Sequence, residues 1–472
     1  MSSSMPTPTP VQLHKPDRAQ PEAGLRGRVV IQTHGCKLNQ ADSSMLARQF
    51  RQSGYTLVEE VSDADIYVLN ACTVTATADS KARQSLRAAR RANPDAVIVA
   101  AGCYPQRAAE ELERMPAVSL VVGNQDKESL VRRAISAHLQ VQGRNFEAAG
   151  PKDSPEFSGE SISGNLPGRS RGMVKIQEGC DQVCAYCIVP KVRGRERSIP
   201  PQEIVAEVRR SGAEGCLEVA LTGTQLGTYG FDIPGASLKK LIKAILDETE
   251  IPRLRVSSLQ PQEIDQDLLR LWLEESRLCP HFHIPLQSGS DAILKAMRRQ
   301  YDTTGFAETV SMIRQSIPHA GVTADLIVGF PGEKDCEFEE SLAFVEDMRF
   351  SDLHIFPYSR RPGTSAAYLD GHLTEAVKKE RMKQALKLAR RSFQEFRSGQ
   401  LGTTRPVLWE SARNSGAGNT LSGLTDNYIR VDCSVEGSAG QYSGLPNSIT
   451  LARLLELRED RVTAKPLFTK AN

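Results

Sequence analysis

The sequence predicts a multidomain α/β chain: an N-terminal domain built on a parallel α/β sheet, a central partial (β/α)6 barrel, and a C-terminal small β-barrel. Three observations predict it. Between residues 28 and 137, short apolar runs alternate with helix-like stretches, the pattern of a parallel sheet covered on both faces. The alternation stops over 143–172, where Gly, Ser, Pro and Glu dominate, and resumes from Met173 for about six further units, as in an incomplete β/α barrel. Beyond residue 401 the chain turns rich in Gly, Ser, Thr and Val with short strand-like runs, the texture of a small β-barrel. The domains expected are a disordered leader (1–26), the N-terminal domain (27–142), a linker (143–171), the central barrel (172–400) and the C-terminal barrel (401–468).

The leader is rich in Ser, Pro, Thr and Gln and lacks the apolar core of a signal peptide. In the N-terminal domain, strands are expected over 29–33, 66–70, 96–100 and 119–122. Helices are expected over 40–52, with Asn39 as N-cap, over 77–92, from Pro105 onward, and over 127–138. The linker follows. In the central domain, strands are expected over 173–177, 217–222, 254–257, 282–285, 322–328 and 353–356, and a long basic helix over 374–398 closes it. Runs such as 406–409, 428–433 and 461–465 are strands of the last domain.

The formal net charge of +2 gives no global signal for nucleic acid, so any such binding must come from local patches. Ten cysteines in 472 residues are too sparse for a secreted disulfide scaffold. No apolar stretch reaches membrane-spanning length, so a cytoplasmic protein with no membrane partner is expected. Cys216, Cys279, Cys336 and Cys433 fall in no pattern and read as core or surface thiols.

The other six cysteines are patterned. Cys180, Cys184 and Cys187 form CxxxCxxC. Three thiolates on one tight loop suit an iron–sulfur cluster that keeps one iron open. A structural zinc site would want four closed ligands, and no fourth cysteine or histidine follows at short range. Cys36, Cys72 and Cys103 lie far apart in sequence, yet each follows an expected strand. Strand C-termini of a parallel sheet share one edge, its usual ligand edge, so three thiolates could converge there, with Gly35 and Gly102 allowing close backbone approach. Three unrelated buried thiols are the alternative.

The CxxxCxxC run, with Tyr186 between its last two cysteines, resembles the signature of the radical S-adenosylmethionine (SAM) superfamily. The segments His34–Asn39, Asn70–Val74 and Ala101–Cys103 further resemble the methylthiotransferase branch of that superfamily, and the likeness runs from about Arg28 to about Leu467. Lys-Leu-Asn-Gln after Cys36 is similar to the branch acting on N6-threonylcarbamoyladenosine in tRNA. The branches acting on isopentenyladenosine tRNA or on a ribosomal-protein side chain are the alternatives.

The resemblance implies two [4Fe–4S] clusters, one held by Cys180, Cys184 and Cys187 and one by Cys36, Cys72 and Cys103. It implies SAM as the source of a radical and of a methyl group, used to add a methylthio group to adenine C2. That carbon is neither acidic nor electrophilic, so radical chemistry is apt. It implies SAM contacts from Tyr186, from Thr222, Gly223, Thr224 and Gln225 after the second strand, from Ser257 and Ser258 after the third, and from Gln287 ending the fourth. Gly329–Glu333 reads as a turn with Glu333 as a helix N-terminal charge. His281 and His283 share a strand face and line the site or pack in the core. A cobalamin-dependent radical SAM enzyme would want an Asp-x-His-x-x-Gly motif, which the sequence lacks.

RNA contacts are expected from Lys81, Arg83 and Arg87, and from Lys191, Arg193 and Arg195 beyond the cysteine loop. The closing helix adds a third basic run. The last domain resembles the TRAM RNA-binding module, with Trp409, Tyr428, Arg430 and Arg453 as candidates, although its loops at 414–419 and 436–444 are poor in positive charge. The implied partners are tRNA and a one-electron donor such as a flavodoxin or ferredoxin.

Overall fold

The computed structural model describes residues 26–143, 170–415, 418–435 and 444–467. The expected leader (save its last residue), most of the expected linker, and parts of the two barrel loops lie outside them.

The N-terminal unit runs β1 (Gly27–Thr33), α1 (Lys37–Gln52), β2 (Tyr55–Leu57), β3 (Ile66–Ala71), α2 (Ala76–Ala92), β4 (Val97–Gly102), α3 (Cys103–Arg107), α4 (Ala109–Glu113), β5 (Leu120–Gly123) and α5 (Leu130–Val141). Its five strands are all parallel, in the order β2-β1-β3-β4-β5. Alternate residues feed two separate cores, Val29, Val68 and Val99 on one face and Tyr67, Leu69 and Ile98 on the other, which is why the strands read as unbroken apolar runs.

Several boundaries differ from expectation. Asn39 is no N-cap: α1 begins at Lys37 after an extended Cys36, because the Asn39 side chain is buried and donates to the His34 carbonyl (2.9 Å). Pro105 does not open a helix, since α3 starts at Cys103. Residues 124–129 form a 3-10 turn ahead of α5, and Lys127 is turned inward.

The central unit runs β6 (Arg171–Lys175), β7 (Gln177–Glu178), α6 (Val189–Arg193), β8 (Arg197–Ser198), α7 (Pro201–Ala213), β9 (Glu218–Thr222), α8 (Leu238–Glu248), β10 (Arg253–Val256), α9 (Gln266–Glu274), β11 (His281–His283), α10 (Asp291–Ala296), α11 (Thr303–Ser316), β12 (Gly321–Val328), α12 (Asp335–Met348), β13 (Asp352–Pro357) and α13 (Glu375–Gly399). Two parallel triplets, β6-β9-β10 and β11-β12-β13, are joined by parallel bridges Leu254–Leu278 and Ser258–His283. The six strands thus form an arc, open between β6 and β13, with the helices packed outside on Val219, Leu254, Phe282 and Leu326.

Gln287 does not end the fourth strand. It sits past β11 with φ 70°, and its amide and carbonyl rejoin the ladder at Asp325 and Ile327. Glu333 closes the expected turn just ahead of α12 by accepting from the Gly329 amide, and it is also buried and paired with Arg381 of α13. The basic helix α13 is capped by Thr374. It turns Lys378, Arg381 and Arg397 inward, so only part of its basic run is a solvated face.

The C-terminal unit is a closed five-stranded barrel in the order β14-β15-β16-β18-β17, formed by β14 (Thr404–Ser415), β15 (Gly418–Thr425), β16 (Arg430–Val435), β17 (Ser448–Arg458) and β18 (Arg461–Pro466). Trp409 fills its core and donates to Thr450 (2.8 Å). The turn between β15 and β16 abuts the N-terminal end of the central arc. Arg253 donates to the carbonyls of Leu424 and Thr425 (3.0 and 2.9 Å), and Asn427 to that of His319 (3.1 Å). Among the described residues no helix is long and apolar enough to cross a membrane.

Candidate functional site

The Cys180–Cys187 loop leaves the top of the central arc. Its entry is tight: Gly179 has φ 80°, and a Cβ there would lie 1.9 Å from the Arg195 carbonyl oxygen, so glycine is required. Gln177 is fully buried and works in two directions. Its Nε2 donates to the Gly179 carbonyl (2.9 Å), and its Oε1 accepts from the amides of Thr224 and Gln225 (2.8 and 3.0 Å). One side chain therefore stitches the cysteine loop to the turn after β9.

The sulfurs already have donors aimed at them. The Gln182 amide reaches Cys180 Sγ at 3.4 Å, and Arg299 Nη1 reaches Cys184 Sγ at 3.1 Å. Burial pushes the Cys180 thiol up to about 11 and that of Cys187 up to about 12, and the neighbouring Cys184 raises both further. Three soft donors crowded on one loop, with donors facing their sulfurs, can hold an iron–sulfur cluster. Tyr186 packs beside Ile293, Met297 and Phe330.

Around this loop, Thr222 ends β9 and is buried, with Gly223 next to it. Thr224 Oγ1 is buried with no hydrogen-bond partner. Such an orphan is rare, and it fits a site shaped for a polar cofactor such as SAM. Gln225 belongs to a relay instead: its amide bonds Glu263 and Gln260, and Gln260 accepts from Arg299 Nη2 (3.1 Å). Ser257 and Ser258 follow β10 directly. Gln287 is buried, on the far side of the break in β11.

The second triad sits where the strand argument puts it. Cys36, Cys72 and Cys103 follow β1, β3 and β4, three adjacent strands. Gly35 has φ 128°, and a Cβ on it would come within 2.7 Å of Cys72 Cβ. The Val74 amide donates to Cys72 Sγ (3.4 Å) and Asn124 Nδ2 to Cys103 Sγ (3.3 Å). Burial pushes Cys72 up to about 12, and Cys103 and Cys36 raise it further, whereas Val74 and Arg193 oppose.

Between the triads lies a buried ionic network that sequence reasoning missed. Asp42 of α1 accepts from Lys127 (2.5 Å), Lys175 (2.9 Å) and Arg193 (3.3 Å). Arg193 also donates to Glu178, two residues before Cys180, and to Asn39, three residues after Cys36 (2.5 Å each). Burial opposes the Asp42 charge, but the three cations hold its carboxyl far below the usual range. The other cysteine loops are tied as well. Arg361, beyond β13, donates to the Thr73 carbonyl (3.0 Å) and pairs with Asp79 (2.8 Å). Asn124, at Cys103, donates to the Val192 carbonyl (2.8 Å). Single polar residues in separate segments carry no spacing, so no motif could have flagged Arg299, Gln177 or Arg361, and Arg193 stood out only as part of a basic run.

Of the expected RNA contacts, Lys81, Arg87, Lys191 and Arg195 are exposed, Arg195 beside Asp181 (3.0 Å). Arg83 is bound to Tyr104 and Glu111, and Arg430 to Glu410. Arg193 is not a surface contact, because its guanidinium is 3% exposed and spent on the network. Tyr428 is not displayed on the barrel either: its ring stacks on His281 at 4.2 Å.

The chain matches the family model of uncharacterized protein family UPF0004 over residues 28–123 and that of the radical SAM superfamily over 174–345. It is 35% identical over 415 residues to the threonylcarbamoyladenosine tRNA methylthiotransferase MtaB of Bacillus subtilis, covering 85% of this chain and 89% of that protein. Its MtaB counterpart in Thermotoga maritima is 33% identical over 439 residues, covering 93% and 98%. The tRNA-2-methylthio-N(6)-dimethylallyladenosine synthase of Mycobacterium tuberculosis is 34% identical over 437 residues, covering 90% and 79%. Among solved structures, the radical SAM methyltransferase TsrM of Kitasatospora setae superposes with a TM-score of 0.50 at 14% identity, covering 72% of this chain and 76% of that one, which is a likeness of fold.

Proposed function

The chain belongs to the radical SAM tRNA methylthiotransferase family, and from that premise we propose that it adds a methylthio group to C2 of N6-threonylcarbamoyladenosine beside the tRNA anticodon. One observation carries the reading: two cysteine triads on facing strand ends, braced against each other by the Asp42–Arg193–Glu178 network.

In this reading Cys180, Cys184 and Cys187 hold a [4Fe–4S] cluster that binds SAM, and Cys36, Cys72 and Cys103 hold a second one. Loaded in this way, the first site would supply a radical able to take an unactivated C–H hydrogen, and the second would supply sulfur. The chain's own residues do the positioning. Gln177 fixes the turn that carries the Thr224 hydroxyl, and in this reading that hydroxyl, Tyr186 and Ser257 meet SAM. Arg299 holds Cys184 from the barrel side. Arg193, Asn124 and Arg361 keep the second triad in register with the first, so that one base can meet both.

The exposed Lys81, Lys191 and Arg195 lie near the cysteine loops, where tRNA phosphates would run, and Arg87 lies farther along α2. The C-terminal barrel is TRAM-like in this reading, a one-electron donor such as a flavodoxin or ferredoxin supplies the reductant, and the protein works in the cytoplasm. Units at 27–142, 172–400 and 401–468 serve sulfur delivery, radical generation and RNA docking.

Mass spectrometry of tRNA nucleosides tests the substrate. Cells lacking this protein are expected to lose 2-methylthio-N6-threonylcarbamoyladenosine and accumulate the unthiolated nucleoside; an unchanged level would sink the assignment.

A further inference from the structure

The central arc curves around a polar inner face. Its strands send their apolar residues outward to the helices, and the alternate positions face in. His283, Asp325 and His354 occupy inward positions on β11, β12 and β13, since Asp325 is in register with His354 and His283 with Thr323. Asp325 bridges the two rings, Oδ2 to His283 Nε2 at 3.3 Å and Oδ1 to His354 Nδ1 at 3.2 Å. Below them His281 stacks on Tyr428 of the C-terminal barrel. Lys37, the residue after Cys36, extends into the same space, its Nζ 6.0 Å from the Tyr428 ring centroid. Among the described residues no carboxylate lies within ion-pair distance of Lys37.

We infer that this inner face forms the pocket for an anionic, carboxylate-bearing substituent on the target adenine, with Lys37 and His354 as its cationic recognition groups. The inference rests on the substrate reading above and deepens it. A half-buried ammonium without a counterion is a cost that a bound carboxylate offsets. Asp325 also holds a proton on His354 more firmly than usual, chiefly through their hydrogen bond, which adds a second positive group. Two imidazoles and a carboxylate are equally a ligand set for a divalent cation, but the unneutralised Lys37 makes this face electropositive and favours an anion. The placement is also apt. Because Lys37 adjoins Cys36, a substituent reaching into the pocket leaves its base at the mouth, beside the second triad. An apolar substituent would strand Lys37 in a dry cavity, and a pocket built for a polar group rejects the analogue that lacks it.

Fluorescence anisotropy with three labelled anticodon stem-loops tests this on the cluster-loaded protein. The RNAs carry threonylcarbamoyladenosine, its threonyl methyl ester, or isopentenyladenosine. The wild type is expected to prefer the free acid to the neutral ester by about tenfold, the scale of one charge-assisted hydrogen bond. Lys37→Met and His354→Gln should each bring that ratio toward one, and an unchanged circular dichroism melt reports an intact fold. Variants that keep the wild-type ratio would overturn the pocket. A wild type that favours the isopentenyl RNA would instead overturn the substrate reading.

Discussion

Arg299 places a guanidinium 3.1 Å from the Cys184 sulfur while its other donor arms engage Gln260 and Tyr301. A fixed positive charge at a ligand sulfur favours the reduced, more negative cluster. Arg299→Gln is therefore expected to lower the reduction potential of the SAM-binding cluster and slow SAM cleavage; an unshifted midpoint in an EPR-monitored redox titration would refute this. Glu218 shows the opposite balance. Burial raises its pKa, but Arg255 and Arg253 outweigh it and hold the carboxyl down at about 2, against an ordinary 4.5. The contribution of this triad to stability is thus complete above about 4.5 and is lost as pH falls toward 2. Glu218→Gln leaves two buried guanidiniums without a counterion, at a cost of about 3–5 kcal/mol near neutral pH. Denaturant unfolding should show that difference narrowing below pH 4.5. At this scale the placement of Cys36, Cys72 and Cys103 after three adjacent strands was legible, because each follows an apolar run. Arg299 and Glu218 were not, because a lone charge in a sequence shows neither its burial nor its partner.

The elements meet through α1 and α6. Arg193, on α6, joins Asp42 of α1 to Glu178 beside the SAM-side loop, and removing it breaks a buried network at its hub. Arg193→Met should cost about 3 kcal/mol or more, whereas Arg195→Ala, 88% exposed at its side chain, should stay within about 0.5 kcal/mol. Thermal or denaturant melts of the two variants check the contrast. For RNA binding the order reverses. If Arg195 meets a phosphate, its loss lowers the salt dependence of tRNA affinity by about one unit of slope. The strands were readable from their apolar runs, and the helices from their period. Boundaries failed where a side chain had tertiary work. Asn39 looks like a cap but is drawn inward by the His34 carbonyl and Arg193. Gln287 looks like a strand end but takes a left-handed backbone after a break in β11.

At the scale of the whole molecule, the two proposed cluster sites predict about eight irons per reconstituted chain, and Cys103→Ala should retain about four together with SAM cleavage, but no methylthiolation. Iron assay and product analysis on the same sample decide it; a variant that still forms product would remove the sulfur-delivery role of the second triad. The three-part order of the chain was visible in the alternation of apolar and helical stretches and in the composition shifts that interrupt and end it. The way the parts interlock was not, because contacts such as Arg253 to Leu424, or Arg361 to Thr73, join residues with no shared pattern.

The turn at residues 425–429 lies beneath the central strands, and it leaves the ribosome after all of them. Some 70 residues separate the end of β13 from this turn, so at the usual pace of translation the proposed pocket stays open from below for roughly 3–14 s after its walls have emerged. Nascent chains stalled before residue 425 should therefore expose His281 and Arg255 to solvent, and become protected in a single step once Tyr428 has cleared the exit tunnel.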